Sequence, residues 1–114
     1  MKIILVILIL SVFSVSVPCY ARDKIDVLRL AEAIRQAENS INHPYGILKP
    51  YCNKDSVSQC KKGCIQTIEH ALRDWDNSGD FIEFLGSRYC PINSDTDNGT
   101  CQFWSKNVKY YYNK

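Results

Sequence analysis

The sequence has little excess of charge of either sign. Its 114 residues include 14 Lys and Arg and 12 Asp and Glu, which leaves a formal net charge of +2. A chain that bound nucleic acid or a strongly anionic surface through its overall charge would carry a much larger basic excess. The sequence therefore predicts no nucleic-acid partner.

The chain also lacks an apolar run long enough to span a membrane. Its one apolar stretch ends at Pro18 after about 15 residues, whereas a spanning helix needs about 20. Lys2 precedes the stretch, and Cys19 and Ala21 place small residues at positions −3 and −1 of a cut after Ala21. This layout is typical of a cleavable secretory signal. The alternatives are an uncleaved anchor and a lipoprotein modified at Cys19.

We therefore expect residues 1–21 to be a signal peptide and residues 22–114 to form one exported domain. Without the signal, whose only charged residue is Lys2, the chain keeps 13 basic and 12 acidic residues. No internal repeat divides this stretch, and its length suits a single domain. We expect a monomer, periplasmic or secreted, with no stable membrane insertion once the signal is removed.

Five cysteines follow the signal, and their spacing lacks the paired C-x-x-C motifs of structural zinc. No metal or cofactor is expected, and in a small exported domain such cysteines are best read as disulfides. Two bridges and one free thiol are the simplest arrangement. Cys60 and Cys64 lie one helical turn apart, so we expect them to bond outward to Cys52 and Cys90, leaving Cys101 unpaired. The sequence does not fix the connectivity.

Apolar residues recur at three- and four-residue steps in four segments, which predicts helices. Their approximate bounds are residues 23–40, 58–76, 81–89 and 103–112. Asp23 is the expected N-cap of the first helix, and Asp80 with Glu83 forms a pair typical of a capping box at the third. No segment alternates for long enough to predict a strand, beyond a short hairpin around residues 45–52. The predicted fold class is mainly α.

Glu38 is the most informative single position. Projected at about 100° per residue, it lies roughly 40° from Ile34, the centre of the apolar stripe of the first predicted helix. Low dielectric and the negative end of the helix dipole both disfavour an ionised carboxylate there. Such a group can keep the proton that a general acid donates near neutral pH. The alternative is a structural glutamate paired with an arginine such as Arg88.

The residues around Glu38 resemble a known arrangement. Segment 33–40, AIRQAENS, ends on the Glu38 turn, and segment 44–47, PYGI, follows it. This pattern resembles the lysozyme-like superfamily, which includes phage-type lysozymes and lytic transglycosylases. In that superfamily a helix ends with a catalytic Glu, and a Gly-Ile or Gly-Leu segment follows in the substrate cleft. Together with segments 79–91 and 104–108, the resemblance covers about residues 31–112 and implies a small, disulfide-stabilised, lysozyme-like helical domain.

The resemblance implies cleavage of the β-1,4 bond between N-acetylmuramic acid and N-acetylglucosamine in the glycan strands of peptidoglycan, with Glu38 as catalytic acid. Most glycosidases need a second carboxylate. This sequence has no acidic residue between Glu38 and Asp55, whereas phage-type lysozymes place an Asp soon after their Glu. The absence favours the single-Glu chemistry of lytic transglycosylases, unless Asp55 or a later acid is brought near by the fold.

Four neighbours of Glu38 are candidate substrate-binding residues. Tyr45 and Gly46 would line the cleft, the tyrosine as a sugar-stacking surface and the glycine as a point of close approach. Asn39 and Ser40 would bind sugar hydroxyls, or else simply end the helix.

Aromatic and histidine residues elsewhere are not assigned to the site. Trp75 and Trp104 are predicted to be core residues rather than sugar platforms, and His43 and His70 are given no catalytic role. The rival hypothesis for the whole chain is a secreted, disulfide-stabilised binding or inhibitor module without catalysis, in which Glu38 is structural.

Overall fold

All regular secondary structure in the described part of the chain is helical. The structure is a computed structural model that describes residues 25–47, 52 and 55–114, so the predicted signal peptide lies outside it. Four α-helices and two 3₁₀ turns follow one another along the chain. They are α1 (Val27–Glu38), the turn Pro44–Gly46, α2 (Val57–Asp74), α3 (Phe81–Tyr89), the turn Cys101–Phe103 and α4 (Trp104–Tyr112). The mainly α prediction is confirmed.

Helix α1 begins and ends on local backbone signals. The carboxylate of Asp26 accepts a hydrogen bond from the N–H of Arg29 at 3.0 Å, which makes Asp26 the N-cap rather than the predicted Asp23. At the other end Asn39 adopts a left-handed conformation, with φ 43°, and its N–H donates to the carbonyl of Arg35. Asn39 is a residue type that tolerates this conformation. The helix therefore ends at Glu38, two residues earlier than predicted.

Helix α3 matches its predicted bounds. The carboxylate of Asp80 accepts the N–H of Glu83 at 3.0 Å, which satisfies one of the free donors at the helix start. The predicted cap at Asp80 is confirmed. The side chain of Glu83 does not return to the backbone of Asp80 and instead forms an ion pair with Lys109 at 3.3 Å.

The core forms where α1 packs against α4 and α2, with α3 closing the side beside α4. The largest side chains at its centre are almost inaccessible to solvent. They are Leu30, Ile34, Ile68, Leu85 and Val108. None of the helices in the described residues is long and apolar enough to cross a membrane.

The two disulfides join Cys52 to Cys60 and Cys90 to Cys101, with Cα–Cα distances of 4.8 and 5.1 Å. The expectation of two bridges is confirmed, but the assignments of Cys64 and Cys101 are wrong. Cys64 is the free thiol, and like the bonded Cys60 it is fully buried on the core side of α2. Cys101 immediately precedes α4 and meets Cys90 at the end of α3. Disulfides of this kind indicate an oxidising environment outside the cytoplasm.

Candidate active site

The carboxylate of Glu38 is bound by a tryptophan from the far end of the chain. Glu38 is the last residue of α1 and is half-buried. Trp104, the first residue of α4, donates its indole N–H to Oε1 of Glu38 at 2.8 Å. Trp104 is itself only 7% exposed, so its ring cannot swing away without opening the core. The packing of α1 against α4 thus fixes the orientation of the carboxylate.

Gly46 approaches the same carboxylate from the other side. A Cβ atom added at Gly46 would lie 2.8 Å from both Cδ and Oε1 of Glu38, closer than non-bonded heavy atoms normally approach. The residue also has φ +69°, a conformation that glycine adopts readily and other residues rarely do. The 3₁₀ turn therefore needs glycine at this position to lie against Glu38.

Two further groups complete the cluster around Glu38. The ring of Tyr89 stacks on Trp104 with centroids 5.2 Å apart, and its buried hydroxyl has no hydrogen-bond partner of normal geometry among the described residues. Burial raises the pKa of Tyr89 far above its ordinary value, and the neighbouring Cys64 and Glu38 add to the effect. Burial also raises the pKa of the Cys64 thiol to about 11. Both groups therefore stay neutral near neutral pH.

A cleft of about 730 Å³ runs beside this cluster. Its floor is formed by Gly46, Ile47 and Tyr89, and its long wall by one face of α2. The polar and charged lining residues are Gln59, Lys62, Gln66, Thr67, His70 and Arg88. Among the described lining residues there is no carboxylate. Glu38 lies behind the floor, against Gly46, rather than among the lining residues.

The residue after the turn packs against α2 beside Gly63. The side chain of Ile47 lies 3.6 Å from the place where a Cβ of Gly63 would be, an ordinary van der Waals distance. Because Glu38 lies against Gly46 and the adjoining Ile47 lies against Gly63, the level of Glu38 along α2 is near residue 63. The lining residues of α2 extend from Gln59 to His70, on both sides of that level.

Of the four predicted substrate-binding residues, only Gly46 lines this cleft. Tyr45 is 4% exposed and has φ 62°, so its ring is packed into the protein and offers no stacking surface. The expectation that Tyr45 is a sugar platform is therefore wrong. Asn39 and Ser40 line a separate pocket, where the hydroxyl of Ser40 accepts the N–H of His43 at 3.0 Å. Their observed contacts are those of a helix end.

Asp55 lies outside the cleft, and Arg88 pairs with a carboxylate other than that of Glu38. Asp55 lines the same separate pocket as Asn39 and Ser40, away from the cleft beside Gly46. Arg88 forms an ion pair with Asp74 at 2.9 Å and lies over the ring of Phe84. The proposed Arg88–Glu38 pair is therefore wrong, and the carboxylate has an indole partner instead.

Trp104 is the partner of Glu38 that sequence reasoning missed. It was assigned to the core, and it is indeed buried, but a buried indole also needs an acceptor for its N–H. Glu38 was the one carboxylate predicted on a buried stripe, so the two unsatisfied groups could have been paired. The position of Tyr89 was a weaker indication of the same kind. Tyrosine is an aromatic residue with a polar hydroxyl group, and Tyr89 is the last residue of the apolar helix α3.

No family model, curated protein or solved structure matches this chain. The geometry around Glu38 and the resemblance of its sequence to the lysozyme-like superfamily are therefore the grounds for a functional proposal.

Proposed function

We propose that this chain is a peptidoglycan-cleaving enzyme of the lytic transglycosylase type, acting as a monomer in the periplasm or after secretion. It breaks the β-1,4 bond between N-acetylmuramic acid and N-acetylglucosamine, with Glu38 as its acid. The observation that carries this proposal is the half-buried carboxylate of Glu38, which is bound by the indole of Trp104 and lies against Gly46, a residue that lines a polar cleft.

The contacts of Glu38 suit a general acid. Because Trp104 occupies Oε1, Oε2 is the oxygen available to carry the proton. Protonation of the glycosidic oxygen breaks its bond to C1 of muramic acid and leaves Glu38 as an anion. The indole N–H then donates to a charged acceptor, which strengthens that hydrogen bond as the reaction proceeds.

The lining of the cleft favours intramolecular transfer over hydrolysis. An inverting or retaining hydrolase places a second carboxylate about 5–9.5 Å from the first. The described cleft residues supply no such group. In the proposed reaction the C6 hydroxyl of muramic acid attacks C1, its proton passes to the Glu38 carboxylate, and a 1,6-anhydro end forms. One glutamate thus acts first as acid and then as base.

Digestion of purified peptidoglycan by the oxidised domain, with products read by mass spectrometry, tests the proposal. The decisive variant is Glu38→Gln, which keeps a side-chain oxygen to accept the Trp104 N–H but has no proton to donate. Glu69→Gln is the matched control, since Glu69 is an exposed residue of α2 outside the cleft. We expect anhydro-muropeptides from the wild type and from Glu69→Gln, and none from Glu38→Gln.

The other outcomes separate the rival readings. Reducing ends in place of anhydro ends would make the protein a muramidase with a second carboxylate still to be found. Absence of products from a folded, disulfide-intact protein would overturn the enzyme proposal and leave the secreted binding or inhibitor module.

A further inference from the structure

The wall of the cleft is lined by three basic side chains. Lys62, His70 and Arg88 line it, and among the described residues that do so there is no Asp or Glu. Arg88 already pairs with Asp74, but no described residue forms an ion pair with Lys62. A positive charge without an acidic partner on the wall of a cleft attracts ligands that bear carboxylates, whereas uncharged sugar rings gain little from it.

The spacing of Lys62 and His70, each with an N–H group that can donate to a carboxylate, fits an extended peptide. Lys62 and His70 are eight residues apart on one face of α2, which corresponds to about 12 Å along the helix at about 1.5 Å per residue. An extended chain covers that distance in about three to four residues. Lys62 lies next to Gly63, at the level of Glu38, and His70 lies two turns further along the wall.

We propose that this wall binds the carboxylates of the stem peptide on the muramic acid next to the cleaved bond. The inference builds on the proposed function, since it takes peptidoglycan as the substrate. With the scissile bond at Glu38, the peptide branch of that sugar runs along α2 past Lys62 toward His70 and Arg88. Peptide-bearing strands are then the preferred substrate, and strands stripped of peptide are bound more weakly.

Binding of soluble fragments tests this without requiring cleavage. The probes are the N-acetylglucosamine–N-acetylmuramic acid disaccharide carrying a tetrapeptide, the same disaccharide without peptide, and the free tetrapeptide. In the peptide-bearing ligand the lactyl carboxyl is bonded to the peptide as an amide, so all its carboxylates belong to the stem, whereas the peptide-free disaccharide carries one free lactyl carboxylate. Dissociation constants come from NMR titrations followed at the amides of Gly46 and Gly63, on the cleft floor and beside Lys62.

Lys62→Gln removes the charge while keeping a polar side chain, and Lys61→Gln makes the same change on the neighbouring exposed lysine outside the cleft. For the disaccharide–tetrapeptide we expect Lys62→Gln to weaken binding about two- to fivefold, the effect of one partly exposed ion pair. Lys61→Gln should bind as the wild type does, and neither change should affect the peptide-free disaccharide. Added salt should reduce the advantage of the peptide-bearing ligand.

Equal wild-type affinity for the disaccharide with and without peptide would overturn the inference, as would an equal loss in Lys61→Gln. Absence of binding by any probe would also overturn it. These results are distinct from failure of the proposed function, which is read from digestion by the wild type and Glu38→Gln. Equal cleavage of strands with and without the stem peptide would contradict the inference and leave the catalytic proposal intact.

Discussion

At the scale of one residue, Trp104 has two roles, one in the packing of the molecule and one in the proposed active site. Its ring stacks on Tyr89 and closes the space above Gly86, where an added Cβ would lie 3.0 Å from the indole. Its N–H binds Glu38. Replacement of the indole therefore affects the fold and the proposed active site by two separable routes.

The substitution Trp104→Phe tests the contribution of the indole N–H to the proposed active site. It keeps an aromatic ring against Tyr89 but removes the donor to Glu38. Since hydrogen bonds to charged groups contribute about 1.5–3 kcal/mol, we expect peptidoglycan cleavage to fall about tenfold to a hundredfold. Rates of anhydro-muropeptide release, measured beside thermal unfolding, provide the comparison.

Trp75→Phe is the matched control for this change. The indole of Trp75 is 8% exposed and donates to the carbonyl of Ser78 at 3.0 Å, remote in sequence from the catalytic candidate. It should lower the melting temperature to a similar extent while leaving cleavage near the wild-type rate. Similar activity losses in the two variants would show that the Trp104 effect is one of stability alone.

Gly46→Ala tests the close approach to Glu38. The added methyl group would lie 2.8 Å from the carboxylate, and φ +69° disfavours alanine in addition. Gly79→Ala separates these effects, because Gly79 has φ +71° but nothing within 4 Å of its would-be Cβ. We expect Gly79→Ala to lose only about 1–2 kcal/mol of stability, the ordinary cost of that backbone conformation.

Gly46→Ala should lose more stability than this and should abolish most of the cleavage activity. Urea unfolding gives the first quantity and product release the second. If the two alanine variants behave alike in both measurements, the contact between the turn and Glu38 is not important.

At the scale of elements, the sequence predicted what local chemistry determines. Helix α3 was predicted with correct bounds because Asp80 caps its start and Pro91 follows its end. The start of α1 was predicted at Asp23 because aspartate is an acceptable cap, but Asp26 is the residue that accepts the N–H of Arg29. The predicted helix bounds thus lie within about one turn of the observed ones.

The candidate active site was predictable only in part, because contacts between residues distant in sequence complete it. The position of Glu38 follows from helical periodicity, but its bond to Trp104 joins residues 66 apart in sequence, which no local pattern encodes. The predicted roles of Cys64 and Cys101 were wrong for a similar reason. Cys60 and Cys64 lie on the same buried face of α2, and only the tertiary positions of Cys52, Cys90 and Cys101 decide that Cys60 is bonded and Cys64 is free.

The loop between α3 and α4 provides a pH-dependent contribution to stability. The carboxylate of Asp97 accepts the backbone N–H groups of Asn93 and Gly99, each at 2.8 Å, and that of Cys101 at 3.3 Å. These hydrogen bonds, that of Asn93 first, hold the pKa of Asp97 below its ordinary value. A lowered native pKa means that the stabilisation is complete above the unfolded pKa, about 3.9, and is lost as the pH falls through the native pKa.

We therefore expect Asp97→Asn to flatten the acid limb of the stability curve, measured by urea unfolding from about pH 7 to about pH 2. Asp95→Asn is the control, since Asp95 is an exposed residue of the same loop. It should leave the acid limb close to that of the wild type. An unchanged acid limb in Asp97→Asn would show that this loop contributes nothing to the pH dependence.

At the scale of the whole molecule, two covalent links supplement a small core. They close short loops, with sequence separations of 8 and 11 residues. In the chain-entropy description loops of this size stabilise by about 2.5–3 kcal/mol each, against a typical total of about 5–15 kcal/mol. The free Cys64 does not exchange readily with them, because it is buried and burial raises its pKa to about 11.

Removing the disulfides one at a time separates stability from site geometry. The double variants Cys52→Ala/Cys60→Ala and Cys90→Ala/Cys101→Ala should each lose about 2.5–3 kcal/mol in urea unfolding, since the loops are of similar length. Their activities should differ. Cys90 follows Tyr89 directly and Cys101 precedes Trp104 by three residues, so the second bridge fastens the aromatic pair that orients Glu38.

We therefore expect the Cys90→Ala/Cys101→Ala variant to lose more cleavage activity, measured at a temperature where both variants remain folded by circular dichroism. The Cys52–Cys60 bridge instead fastens the chain before α2 to the first turn of that helix, at the end of the cleft that contains Gln59. Its removal should weaken substrate binding more than turnover. Equal turnover in the two variants would mean that packing alone, without the second bridge, is enough to keep Trp104 on Glu38.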